Sequence, residues 1–226
     1  MAEIKAILTF DDGPHSHPSV NYTAQALAVL RENQMKGAFF IQTHVPHRAA
    51  SPVGADIVRK LHAEGHLVGI HTGSIEDHVS HVARERDGLL RADLERAKKR
   101  LVELGVAAKY VRPVGGACNE AVLKSYEQHE LKIVLWDIDS KDSARGFTPD
   151  RIERHLADQM RRLARRGRLV ILLHELDPDT RGQIQRYIDT LVASARSAGH
   201  SLSFPKTRRE IELAFDARSD ETGCRR

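Results

Sequence analysis

The sequence predicts an α/β protein on a parallel sheet, either open or closed into a barrel. Three observations carry that expectation. Short apolar runs of strand length alternate with amphipathic helical patterns about seven times along the 226 residues, and repeated alternation of this kind builds parallel sheets. Glycine stands where helices should stop, at Gly65, Gly105, Gly167 and Gly199, positions that call for left-handed backbone. No linker, repeat or shift in composition divides the chain, so we read one domain over 1–218 and a frayed tail over 219–226.

Taken in order, strands are expected at 4–10, 37–41, 67–71, 109–112, 131–136 and 169–173, with a weaker one at 201–204. Each is a short apolar or β-branched run bounded by turn residues. Helices are expected between them at 20–33, 55–64, 84–104, 120–129, 149–166 and 180–198, and a short one follows at 208–215. Thr148-Pro149 opens its helix with a capping hydroxyl and a proline whose missing N–H costs nothing there.

The composition, 41% hydrophobic and 29% charged with a net charge of +4, is that of an ordinary globular domain. Collagen, coiled coil and low-complexity disorder are excluded for the chain as a whole. The longest apolar runs are strand-sized, so no membrane span is expected. The basic cluster at 161–168 has no interleaved aromatics and reads as a solvated helix end, so no nucleic-acid partner is expected. Cys118 and Cys224 make neither a disulfide framework nor a zinc knuckle; the reduced state is the expectation, with a single Cys118–Cys224 bridge as the alternative. The N-terminus enters a strand without a signal-peptide apolar region, giving a cytoplasmic reading as the chain stands and an extracytoplasmic one if a leader has been removed.

The outlier is histidine: 13 residues, nine of them between His15 and His81. In parallel α/β folds, sites collect at the C-terminal ends of strands, and capable side chains fall there repeatedly. The first strand ends in Asp11-Asp12-Gly13-Pro14. A turn explains Asp12-Gly13-Pro14 but not Asp11 as well; one carboxylate could bind a metal while the other works as a base. The third strand ends at His71, followed within ten residues by His78 and His81. Two histidines and an aspartate with an open position suit zinc or a related divalent ion. Arg112, Trp136 with Asp139 and Asp142, and His174 close the fourth, fifth and sixth strands. Together this is the inventory of a metal-assisted hydrolase. His129, His155 and His200 read as surface residues.

These residues resemble the polysaccharide deacetylases of the NodB-homology type, carbohydrate esterase family 4. Five motifs occur in the family's order: Thr9-Phe10-Asp11-Asp12-Gly13-Pro14, the approach Gly65-His66 to His71-Thr72, Arg112-Pro113, Asp139-Ser140-Lys141-Asp142, and Leu172-Leu173-His174. The resemblance implies a distorted (β/α) barrel of about seven parallel strands and removal of N-acetyl groups from an amino sugar. It implies one divalent ion, zinc first, with cobalt, nickel or iron suited to the same ligands. Asp12 and His71 would bind it, and Asp11 would be the general base, held ionised by Arg112. His174, oriented by Asp142, would protonate the leaving amine. Gly115 would lie beside the oxyanion, Leu172 would line the acetyl pocket, and Trp136 would stand with them.

Three departures stand out. The family's second ligand histidine falls four residues after the first, where this chain has Ile75. The third ligand is therefore expected at His78 or His81. His78 is favoured by counting back from Arg112, and a helix starting near Asp77 would put both on one face. Gly115 and Ser143 replace aromatic walls of the sugar groove, and Glu175 follows His174 where aspartate is usual. The expected substrate is an N-acetylated glycan. A small linear or cyclic amide is the alternative, and a non-catalytic glycan-binding relative is disfavoured because Asp11, Asp12, Arg112 and His174 are all present.

Overall fold

A computed structural model describes residues 2–15, 21–174 and 183–218. The long first strand, β1 (Ala2–Gly13), organises everything else. Its period-two alternation sends Ile4, Ala6, Leu8 and Phe10 into the large apolar cluster under the helices. Ile7 instead joins a second cluster with Phe40, Tyr110, Trp136, Val170 and Leu172, because successive side chains of a strand leave on opposite faces. That second cluster is the barrel interior.

The other strands are β2 (Ala38–Gln42), β3 (Leu67–Thr72), β4 (Tyr110–Val111), β5 (Lys132–Ile133), β6 (Ile138–Asp139), β7 (Arg168–His174) and β8 (His200–Ser203). All pairings are parallel, in the order β5-β4-β3-β2-β1-β7-β6, and β8 pairs with the first residues of β1. The sheet curls into a half-barrel with β5 and β6 at its two edges. Of the expected fifth strand, 131–136, only Lys132–Ile133 is strand; β6 follows at Ile138–Asp139, and the chain between them crosses from one edge to the other: Val134 N–H donates to Val111 and Asp137 N–H to Val170.

Helices α1 (Tyr22–Glu32), α2 (Pro52–Ala63), α3 (His81–Arg86), α4 (Leu90–Glu103), α5 (Glu120–Gln128), α6 (Pro149–Leu163), α7 (Ile184–Ser197) and α8 (Arg208–Asp216) complete the chain. The single helix expected over 84–104 is broken at Gly88, which has φ +70°. α2 begins at Pro52 rather than at residue 55, because Ser51 caps it, accepting from Gly54 N–H, with Pro52 in the first turn. The four stop glycines have φ between +67° and +83°, as expected. α8 sets Ile211, Ala214 and Phe215 into the barrel interior at the strands' N-terminal end, where the Tyr110 hydroxyl donates to Asp216 at 3.0 Å. The C-terminal mouth is left for chemistry. Cys118, expected reduced, has no free thiol; Cys224 and the rest of 219–226 lie outside the described residues. No helix among the described residues is long and apolar enough to cross a membrane.

Candidate active site

The barrel's alternation delivers the site. Thr9 and Asp11 continue the inward face of β1 past Ile7, and the strand register pairs Thr9 with Leu172 and Asp11 with His174. Arg112 leaves β4 on the same inward face as Tyr110 and is fully buried. Its Nη1 donates to Asp11 Oδ1 at 2.9 Å and to the Thr9 hydroxyl at 2.7 Å, and its Nε donates to the Val134 carbonyl at 3.0 Å. The guanidinium lies 4.2 Å from the Phe40 ring centroid and 5.6 Å from that of Trp136. Burial pulls the Arg112 pKa down and Asp11 opposes it. A buried charge of this kind survives only when paired.

Asp12 would point away from Asp11 in a regular strand. It has φ +70°, and the pairing of β1 with β2 is irregular between Phe10 and Gly13, so both carboxylates reach the mouth. The nearly buried Asp12 faces two imidazoles: His71 Nε2 is 3.2 Å from Oδ1 and His78 Nε2 is 2.8 Å from Oδ2. The first contact is not aligned for a hydrogen bond, so Oδ1 has no donor among the described residues. Burial raises the Asp12 pKa, but the two histidines outweigh it and hold the group well below the usual carboxylate range. Each Nδ1 is anchored: that of His71 donates to the Arg112 carbonyl at 2.8 Å, and that of His78 donates to Asp77 Oδ1 at 3.0 Å. The trio is closed by direct contact, and no three His, Cys, Asp or Glu side chains among the described residues are spread at metal-ligand spacing.

His81 takes no part in this. It is buried against Tyr126, with Nδ1 2.5 Å from the hydroxyl, and burial lowers its pKa to about 3. α3 begins at His81 rather than near Asp77, so His78 sits in the preceding loop and the two share no helix face.

On the opposite wall, Asp142 is fully buried and uses both oxygens on one residue. Oδ1 accepts from His174 Nδ1 and Oδ2 from the His174 backbone N–H, each at 2.7 Å. Burial lowers the His174 pKa, but the hydrogen bond and charge of Asp142 prevail and raise it to about 9. Leu172, buried, sits one inward position below His174. Gly115 follows Arg112-Pro113 in a 3-10 turn at φ +65°, with open space where a Cβ would point. A Cβ on Gly116 would instead lie 2.7 Å from the Trp136 ring, so Trp136 is a buried wall beneath the mouth. His155, expected at the surface, is half-buried, with Nε2 3.0 Å from the Asp139 carbonyl. Glu175 lies outside the described residues.

Thr9, Asp77 and Gln42 went unassigned in the sequence. Thr9 was legible, standing at the next inward position after Ile7. Asp77 adjoins His78, and Gln42 ends the second strand, but neither carries a signal until the loop is seen folded across that strand.

Known proteins resemble this chain in sequence and in fold. The polysaccharide deacetylase family model matches residues 1–134. A chitooligosaccharide deacetylase of Rhizobium leguminosarum bv. trifolii is 33% identical over 77% of this chain and 74% of its own length. A chitin deacetylase of Colletotrichum lindemuthianum is 29% identical over 60% of this chain and 51% of its own. Among solved structures, a family 4 carbohydrate esterase from Streptomyces lividans in complex with acetate superimposes with a TM-score of 0.67 at 24% identity, covering 90% of this chain and 94% of that one. A family 4 acetyl xylan esterase from Clostridium thermocellum, solved with a cobalt ion, has a TM-score of 0.65 at 18% identity, covering 95% and 91%.

Proposed function

This chain belongs to the polysaccharide deacetylase family, and from that premise we propose that it hydrolyses the N-acetyl group of an N-acetylated amino sugar with the help of one divalent ion. The observation that carries the proposal is the pairing of two opposed devices across one barrel mouth: Asp11 locked to Arg112 and His174 locked to Asp142. Such a pair supplies a general base and a general acid on the two walls of one site.

The donor set fits a divalent ion. Asp12 offers a buried oxygen without a hydrogen-bond donor, and two imidazoles turn Nε2 toward that carboxylate with Nδ1 already anchored, the arrangement that orients metal-binding histidines. Asp12, His71 and His78 would hold the ion, and His81 would not. Zinc is the first choice for one carboxylate and two imidazoles. When bound, the ion supplies Lewis acidity toward the acetyl carbonyl and a lowered pKa for the attacking water.

The remaining chemistry belongs to the chain. Asp11 takes the proton of the attacking water, and the Arg112 guanidinium, 2.9 Å from its Oδ1, holds that carboxylate pointed at the mouth. Backbone around Gly115, where no side chain intrudes, stabilises the oxyanion. His174, protonated at neutral pH, passes a proton to the departing amine. Leu172 gives the acetyl methyl an apolar seat.

The test is acetate release. Zinc-loaded protein incubated with N-acetylglucosamine oligomers should yield acetate and free amine in equal amounts. No acetate from any N-acetylated glycan, together with turnover of a ureide or imide, would replace this reading with that of a small-amide hydrolase.

A further inference from the structure

The two histidines facing Asp12 are held by different means. The His71 ring is buried and its Nδ1 donates to a backbone carbonyl inside the barrel. His78 stands in a loop, its side chain 52% exposed, at a backbone φ of +54° that non-glycine residues seldom adopt. An exposed histidine in such a loop has several rotamers, and water competes for both ring nitrogens. Something must select one.

We propose that Asp77 and Gln42 form a clamp that makes His78 a metal ligand, acting as positioning residues. The clamp is a closed ring of contacts. Asp77 Oδ1 accepts from His78 Nδ1 at 3.0 Å and from Gln42 Nε2 at 2.7 Å, while Gln42 Oε1 accepts from the His78 backbone N–H at 3.4 Å. One carboxylate oxygen thus fixes the ring, and one amide fixes both that carboxylate and the histidine's own backbone. Gln42 is the last residue of β2 and fully buried, so the clamp ties the loop to the barrel. Arg48 approaches the other Asp77 oxygen at 3.9 Å.

The loop itself has little freedom. A Cβ on Gly73 would collide with the Asp93 carbonyl at 1.8 Å, Ser74 N–H donates to the Thr72 hydroxyl at 3.1 Å, and Glu76 N–H donates to the Ser74 hydroxyl at 3.0 Å. These contacts carry the chain past the position of Ile75, which points to solvent, and deliver His78 to Asp12. The longer spacing after His71 is thereby given its own anchor.

This inference rests on the reading of Asp12, His71 and His78 as the ligands, and one experiment separates the two. Zinc affinity of the full chain is measured by competition with a chromogenic chelator for wild type, His78→Ala, Asp77→Ala, Asp77→Asn, Gln42→Ala and the double variant Asp77→Ala/His78→Ala. Thermal midpoints of the metal-free proteins serve as the folding control. Asp77→Ala should weaken zinc binding about 10- to 100-fold. Asp77→Asn should recover part of that loss, because its amide oxygen still accepts from Nδ1, and Gln42→Ala should fall between wild type and Asp77→Ala. In the His78→Ala background the Asp77 substitution should change affinity less than twofold, since a positioning residue has nothing left to position. Asp77→Ala within twofold of wild type, or an equal loss with and without His78, overturns the clamp while leaving the ligand reading intact. An unchanged affinity in His78→Ala overturns the ligand reading and the clamp with it.

Discussion

Replacing Asp142 with asparagine isolates the charge that raises the His174 pKa. The amide oxygen can stand where Oδ1 accepts from Nδ1, which retains the ring orientation, while the negative charge is lost together with the acceptor that Oδ2 gives the His174 backbone N–H. With Asp142 in place the His174 pKa is about 9, against an ordinary value of about 6.5. The difference corresponds to about 3 kcal/mol in favour of the imidazolium. At pH 8 about nine in ten wild-type molecules carry the acid, whereas a variant at the ordinary pKa retains about 3%, a fall of roughly thirtyfold in kcat/KM. At pH 6 the two proteins should differ by less than about twofold. The sign is the same for stability. A folded-state pKa above the unfolded one stabilises the fold fully below about pH 6.5, and that contribution disappears as pH rises through about 9. The assay is acetate release from an N-acetylglucosamine oligomer between pH 5.5 and 9.5, with urea denaturation at pH 6 and pH 9.5. An alkaline limb that stays in place, or an equal loss of activity at every pH, would refute the reasoning and make Asp142 a purely structural partner.

Other substitutions read other parts of the site. Arg112→Gln leaves the Asp11 carboxylate buried without its cation and should cost about 3–5 kcal/mol, seen as a drop of roughly 10 °C in the calorimetric midpoint. Gly116→Ala must displace the Trp136 ring and should destabilise by about 1–3 kcal/mol. Gly115→Ala has open space and only its positive φ to bear, about 1 kcal/mol, so the two neighbours should differ in urea midpoint in that order. Zinc at a hundred times its Kd should stabilise the metal-free protein by about 2.7 kcal/mol, raising the thermal midpoint by several degrees. A chelator should reverse the rise and abolish acetate release together.

The strand ends were legible because one-dimensional alternation and three-dimensional position coincide there. Inward residues of a parallel strand run on into the barrel mouth, so Asp11, His71, Arg112 and His174 could be singled out as candidates from placement, while their roles come from the family resemblance. The break at Gly88 was not legible, because a lone glycine inside an amphipathic pattern does not disturb its periodicity and the residues on either side face the same core. The early end of the fifth strand was not legible because 133–136 is an unbroken apolar run, yet its chain has to leave one edge of the half-barrel and join the other. The choice between His78 and His81 depends on a loop whose path is set by Gln42, thirty-six residues earlier, and no local pattern carries that. Asp77 was hidden for the same reason.

The most direct measurement is a paired one on wild type and Asp11→Asn: zinc content per chain, and acetate released from an N-acetylglucosamine oligomer at pH 7. The account predicts about one zinc in both proteins, with acetate formed at a measurable rate only by the wild type, because the variant retains the ligands and loses the base. Acetate release by Asp11→Asn at the wild-type rate would contradict it.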